Sequence, residues 1–291
     1  MLPTYLKPQN SGRCNHVAKS RGRGYRSQAF WNQLEDGVTW KLDQRSHREF
    51  KRNPLSVVVM QIRFHPILKV AAKIDDFQEL VRQQFPAFNQ RMIRRVAVSK
   101  EEAIEVHDEK GFIFSSSDGS ETVTLDVASL AVETKEYTNH TDFLAKAKIA
   151  VDAFQSVYGP VSTTRLGLRY VNIVKKEQIE KGLGRNLQWS DFVKDSFLQV
   201  PSQLDLENTR FACEHSSSLA QGGTLTLRHG IMSNPSDGEH FRFDVDRYQE
   251  GEFELGRTTS ILEGYSEDLY SLFESMVGPA LLEWMEQENE G

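Results

Sequence analysis

The sequence predicts an α+β fold, with antiparallel sheets carrying helices on one face and two β-α-β-β-β-α halves in tandem. Three observations predict it. Segments such as 54–64, 161–174 and 240–248 are β-branched or aromatic and alternate in polarity with period two. Segments 74–85, 141–159 and 260–287 place apolar residues three and four apart, as one face of a helix requires. The order of these elements then recurs after Pro160, and runs of strands joined by short polar turns favour antiparallel pairing.

From Asn53 the elements follow in order. "PLSVVVMQIRF" (54–64) is a strand. "IDDFQELVRQQF" (74–85) is a helix with Asp75 and Asp76 in its first turn, where carboxylates suit the helix dipole. Strands are expected at 91–99, 111–117 and 121–134, the last two joined by a Ser117-Asp118-Gly119-Ser120 hairpin turn. "TDFLAKAKIAVDAFQSVYG" (141–159) is amphipathic, with Thr141 as its cap and Gly159 and Pro160 as its stop. In the second half, "VSTTRLGLRYVNIV" (161–174) is a strand and "LQWSDFVKDSFL" (187–198) a helix. Three strands follow, in "DLENTRFACEHSS", "GTLTLRHGIM" and "HFRFDVDRY", with a turn at Gln221-Gly222-Gly223. A single long helix, about 260–287, closes the chain.

The domain reading is therefore an extension over 1–52, a first half over 53–160 and a second over 161–291. Residues 1–53 hold eleven Lys or Arg against four Asp or Glu, a balance of +7 that leaves −13 for the rest. Residues 11–28 lack periodicity and large apolar side chains and are expected to be disordered. Trp31, Leu34, Val38, Trp40 and Leu42 are expected to form a short element docking on the body. The cations Arg13, Lys19, Arg21, Arg23 and Arg26 offer an electrostatic arm for nucleic acid, which the acidic body would repel. The N-terminus has no apolar core after its charges and does not read as a secretory signal. No apolar run approaches the ~20 residues of a membrane span, so no membrane partner is expected. Two cysteines, Cys14 and Cys213, exclude a disulfide framework and suit a reducing cytoplasm.

The segment "TRLGLRYVN" (164–172) places two arginines and an asparagine in a strand. Alternation puts Arg165, Gly167, Arg169 and Val171 on one face, and Leu166, Leu168, Tyr170 and Asn172 on the other. The leucine face suits a core, whereas a guanidinium must keep a partner. In "HFRFDVDRY" the same rule sets Phe241, Phe243 and Val245 against Arg242, Asp244 and Asp246. The simplest expectation is that Arg165 or Arg169 pairs with Asp244 or Asp246 across a sheet. The other is a polar concavity in which Arg169 meets an anionic or carbonyl ligand. Tyr170 and Asn172 are then candidates to bind a ligand, or a neighbouring element, from the opposite face.

"NPLSVVVMQIRF", "RLGLRYVN" and "FDVDRY", with their spacing and the closing amphipathic helix, resemble a sporadically distributed family of prokaryotic proteins of unknown function. The resemblance covers roughly 53–288. Scattered membership implies horizontal spread and a defence or mobile-element role. It carries no catalytic residues.

Catalytic patterns are weak. His240, Asp244 and Asp246 share a strand face and are geometrically able to hold a divalent metal, though the arginines compete for the aspartates. Asp126, Glu133 and Lys135 loosely match a nuclease set but would lie along one continuous strand, with Asp126 ~23 Å from Glu133. His215 sits beside serines in what reads as a polar hairpin loop, without a nucleophile elbow. Cys/His spacing suggests no zinc site, and no phosphate loop or cofactor is expected. The leading expectation is a non-catalytic binding protein for a partner protein or small ligand. The alternatives are nucleic-acid binding through residues 1–52 and a metal-dependent enzyme using Asp244 and Asp246.

Overall fold

The structure is a computed structural model that describes residues 42, 43, 45, 48, 50–98, 104–198, 210–235 and 238–287. The described residues form one compact unit. The expected disordered segment 11–28, the cations Arg13, Lys19, Arg21, Arg23 and Arg26, and Trp31, Leu34, Val38 and Trp40 lie outside the described residues.

The described strands are β1 (Leu55–Phe64), β2 (Ala87–Val98), β3 (Ile104–Ser115), β4 (Glu121–Leu125), β5 (Ser129–Thr134), β6 (Thr163–Lys175), β7 (Cys213–Ser218), β8 (Thr224–Asn234) and β9 (Gly238–Glu250). They form one antiparallel sheet in the order β2-β3-β4-β5-β1-β6-β9-β8-β7. The helices are α1 (Ile74–Val81), α2 (His140–Tyr158), α3 (Lys176–Leu183), α4 (Trp189–Phe192), α5 (Thr258–Met276) and α6 (Pro279–Glu286). The class is α+β, as predicted, and both halves contribute to a single sheet through the β1–β6 pair. The two sides differ in order: four strands separate α1 from α2, while three separate α4 from α5.

One face of the sheet is the core. Val58, Met60 and Ile62 of β1 are aligned with Tyr170, Leu168 and Leu166 of β6, Phe64 faces Thr163 past a register shift, and Phe241, Phe243 and Val245 of β9 continue the layer; all are buried. Phe143, Leu144, Ala147, Ala150, Val151 and Phe154 of α2 cover it, as do Leu262, Leu269, Leu272, Phe273 and Met276 of α5. Burial of a Leu or Phe side chain contributes about 1.5–3 kcal/mol, so this single stripe per element dominates the stability of the sheet.

Several expectations are corrected. Segment 121–134 is two strands, because the buried Asp126 carboxylate accepts from Ala128 N (2.8 Å) and Ser129 Oγ (2.7 Å) and turns the chain between them. The hairpin still separates the nuclease-like residues: Glu133 is opposite Thr122, four residues back from Asp126. Helix α2 is capped by Asn139, whose side chain accepts from Asp142 N at 2.9 Å, rather than by Thr141; Gly159 ends it with φ 74°, as expected. The helix expected at 187–198 shrinks to α4, since Val193 turns extended to bridge Val277. Helix α3 was not expected at all. The closing helix is broken at Val277-Gly278-Pro279: Pro279 opens α6, and a Cβ on Gly278 would lie 2.5 Å from Asp191 O. Cys213–Ser218 is strand β7, as the strand expected in "DLENTRFACEHSS" requires, so His215 lies on a strand rather than in the expected polar hairpin loop.

The extension is firmly docked from Leu42, which is buried in the core. Arg45 N donates to Ser271 Oγ (3.1 Å) and Arg48 N to Tyr270 Oη (3.0 Å). Their guanidiniums pair with Glu274 and Glu286. Lys51 N and Arg52 N satisfy Met285 O at the end of α6 (2.9 and 3.0 Å). Arg45 and Arg48, inside the basic 1–52 segment, are thus paired with carboxylates of the fold.

Candidate binding face

The opposite face of the sheet carries the arginines. β6 and β9 run antiparallel with Arg169 opposite Asp246, Val171 opposite Asp244 and Ile173 opposite Arg242. All of these odd-numbered β6 and even-numbered β9 side chains point away from the helices, because their strand neighbours fill the core.

Arg169 pairs with Asp244 on the diagonal, Arg242 with Asp244 along its own strand, and Arg165, which faces Glu250, reaches past Gly167 to Asp246. Arg169 holds Asp244 with two bonds, Nε to Oδ1 at 2.7 Å and Nη2 to Oδ2 at 2.6 Å. Arg242 Nη2 donates to the same Oδ2 at 2.6 Å. Arg165 Nη2 reaches Asp246 Oδ2 at 2.8 Å, while its Nη1 meets Gln61 Oε1 at 3.3 Å and its guanidinium lies 4.3 Å from the Tyr248 ring centroid. Gly167 makes this possible, since a Cβ there would lie 2.7 Å from Arg165 Nη1. Each aspartate is thus engaged by an arginine, as expected, but the specific partners follow from a register offset rather than direct opposition.

Electrostatics separate the two carboxylates. Burial pushes the Asp244 pKa up, yet the Arg169 hydrogen bonds and the Arg169, Arg242 and Arg228 charges outweigh it and hold the group below the usual carboxylate range. At Asp246, burial prevails over Arg165 and Arg169 and leaves the pKa raised. Arg169, hydrogen-bonded to Asp244, is held above its ordinary value.

Arg165, Arg169 and Arg242 engage Asp244 and Asp246, and Glu133, across β1 from Arg169 on the same face, adds a third carboxylate that acts on Arg169. The Arg169 side chain is 41% exposed although that of Asp244 is 1% exposed. Arg242 Nε is buried with no partner among the described residues, a state that costs about 1–3 kcal/mol unless something accepts from it. Half-exposed Val57, Val59, Val171 and Ile173 flank the charges, Val59 directly opposite Arg169. A cavity of about 170 Å³ opens at the end of this patch, where Leu55 and Ile173 meet Gln178 and Trp284.

Other candidates lie elsewhere. Tyr170 and Asn172 are buried under the helices at 7% and 4% exposure. Tyr170 Oη bonds to Ser266 Oγ at 2.9 Å and lies 3.4 Å from Tyr137 Oη, so Tyr170 bridges core elements and cannot share a ligand with the arginines. His240 is buried at 2%, its Nδ1 3.1 Å from Gly238 O. With Asp244 and Asp246 taken by arginines, His240, Asp244 and Asp246 do not assemble a metal site, and no group of three or more His, Cys, Asp or Glu among the described residues is arranged to hold one.

Sequence reasoning missed the partner of Arg247. This side chain shares the core face with Val245, is 3% exposed, and donates from Nε to Asp268 Oδ2 at 2.9 Å, from Nη1 to Tyr248 O and from Nη2 to Gly222 O. The strand parity of Arg247 was a legible signal; the location of Asp268 on α5 was not. No helix among the described residues is long and apolar enough to cross a membrane. No protein-family model matches this chain, and no curated protein matches its sequence.

Proposed function

We propose that the chain is an interaction protein whose open sheet face, centred on Arg169 and Arg242, receives an acidic or carbonyl-bearing segment of a partner protein. The observation that carries this reading is the Arg242 Nε buried without a partner among the described residues, beside an Arg169 side chain that stays 41% exposed over a buried carboxylate. Arginine beside half-exposed aliphatic residues is the composition of interface cores, and here Val57, Val59, Val171 and Ile173 supply the aliphatic part. A planar guanidinium offers two parallel donors to a carboxylate, which gives orientation as well as affinity. The resemblance to a sporadically distributed prokaryotic family supports a defence or mobile-element setting, and the low cysteine content supports a reducing cytoplasm.

The test is affinity purification of the tagged chain from its host beside folded Arg169→Ala and Arg242→Ala variants, with mass spectrometry of what co-purifies. The expected result is a protein retained by the wild type and lost at least tenfold by both variants. Equal recovery from all three would remove the arginines from the binding role.

A further inference from the structure

At the outer edge of the sheet, β7 and β8 bring together two histidines that are fourteen residues apart in sequence. Cys213 is aligned with His229 and His215 with Leu227, so Cys213, His215 and His229 share one face of the ribbon. The Nε2 atoms of His215 and His229 are 3.2 Å apart. Their rings are within 10° of parallel and their centroids are 5.3 Å apart. The centroid separation exceeds the nitrogen separation by about one ring width, so the two imidazoles meet head to head rather than stacking.

The two rings have opposite surroundings. His229 is 4% exposed and packs against Phe197, Phe211 and Phe241. His229 Nδ1 has no partner among the described residues. His215 is exposed on the edge strand, its Nε2 hydrogen-bonded to that of His229.

We propose that His215 and His229 chelate a zinc ion at this edge, with Cys213 as third ligand and water as fourth. Two Zn–N bonds of about 2.0–2.1 Å at a tetrahedral angle place their nitrogens about 3.3–3.4 Å apart, close to the 3.2 Å observed. The imidazole pair is the preformed part. Cys213, half-buried two residues before His215, completes the site by rotating its thiol inward, since no three such side chains already converge. On binding, Cys213 gives its thiol proton to solvent, and the imidazole whose Nε2 hydrogen bridges the pair in the free protein moves that hydrogen to Nδ1, so that both Nε2 lone pairs face the ion. Imidazole with thiolate favours zinc over magnesium or calcium. The ion would pin β7, the outermost strand, to β8.

The experiment uses the full, metal-stripped chain without a histidine tag, titrated with Zn²⁺ calorimetrically and with Co²⁺ by absorption. The expected result is one ion per chain, a Tm raised by several degrees in excess Zn²⁺, and a thiolate-to-cobalt band. His215→Ala, a substitution at an exposed position, should weaken binding at least tenfold; Cys213→Ser should keep weaker binding and lose the band. No binding by the wild type, or equal binding by His215→Ala, would overturn the site. A cobalt complex without the thiolate band would overturn the assignment of Cys213.

Discussion

Strand β9 carries two arginine–aspartate systems on its two faces, and they differ in almost everything but chemistry. On the covered face Arg247 and Asp268 are 3% and 6% exposed. The Arg247 ring contact with Tyr265 is 4.4 Å, and Gln221 Nε2 donates to both Asp268 oxygens. Every donor group of Arg247 is engaged, which ties the β7–β8 turn and α5 to the sheet. On the open face Asp244 is equally buried, but Arg169 is 41% exposed. The first arrangement is closed, with no donor left for an outside molecule. The second is a buried anion beneath partly exposed cations, which keeps arginines oriented while leaving them accessible. Burial of the cation, not the presence of an ion pair, separates a structural clamp from a surface able to bind.

The comparison breaks most visibly at the clamp. Arg247→Met should destabilise the protein by about 3–5 kcal/mol, because Asp268 stays buried without its counter-charge; denaturant unfolding would check this. A double variant, Arg247→Met with Asp268→Leu, should recover most of the loss, since an apolar pair of similar volume needs no charge compensation. If the single variant costs less than about 1 kcal/mol, Arg247 is not the tie between α5 and the sheet that its bonds suggest.

On the open face Asp244→Asn should cost about 1.5–3 kcal/mol, the range for hydrogen bonds to charged groups. It should also change the acid limb of the stability curve. The folded pKa of Asp244 lies below its unfolded value, so its stabilisation is present above the ordinary carboxylate pKa of about 3.9 and is lost as pH falls through the lower folded value. Asp246, with a raised pKa, works in the opposite direction, and because the Asp244 charge helps to raise it, the Asp244→Asn minus wild-type difference reads the coupled pair. Urea unfolding at a series of pH values below 5 would read it. The smallest effect should come from Arg169→Ala. With Arg242 still bonded to Asp244 and the arginine side chain partly exposed, the cost should stay under about 1 kcal/mol. A much larger loss in thermal unfolding would make the open face as structural as the covered one.

Much of this was legible beforehand. Parity in "TRLGLRYVN" and "HFRFDVDRY" separates Arg165, Arg169, Asp244 and Asp246 from the core-facing residues, and the structure places them so. Parity also set Tyr170 and Asn172 on the other face, but only the packed helices show that face to be closed to ligands. The break at Asp126 was hidden because "TVTLDVASLAV" reads as β-compatible throughout, while the turn depends on one carboxylate capturing Ala128 N and Ser129 Oγ. The split between α5 and α6 had a visible cue in Gly278-Pro279, but the reason for it, the backbone of Asp191 and Phe192 pressed against Gly278, is tertiary.

The sequence by itself determined the α+β class and the two chemical faces of the central strands. Both follow from side-chain periodicity, a local property that a strand carries wherever it is placed. Only the tertiary structure decided the strand order, which face the helices cover, and which charges meet. Arg169 and Asp244 are 75 residues apart, Arg247 and Asp268 lie on a strand and a helix, and His215 meets His229 through a ladder register. Backbone hydrogen bonding between distant segments sets those registers, and the alternation within each segment carries no information about its partner.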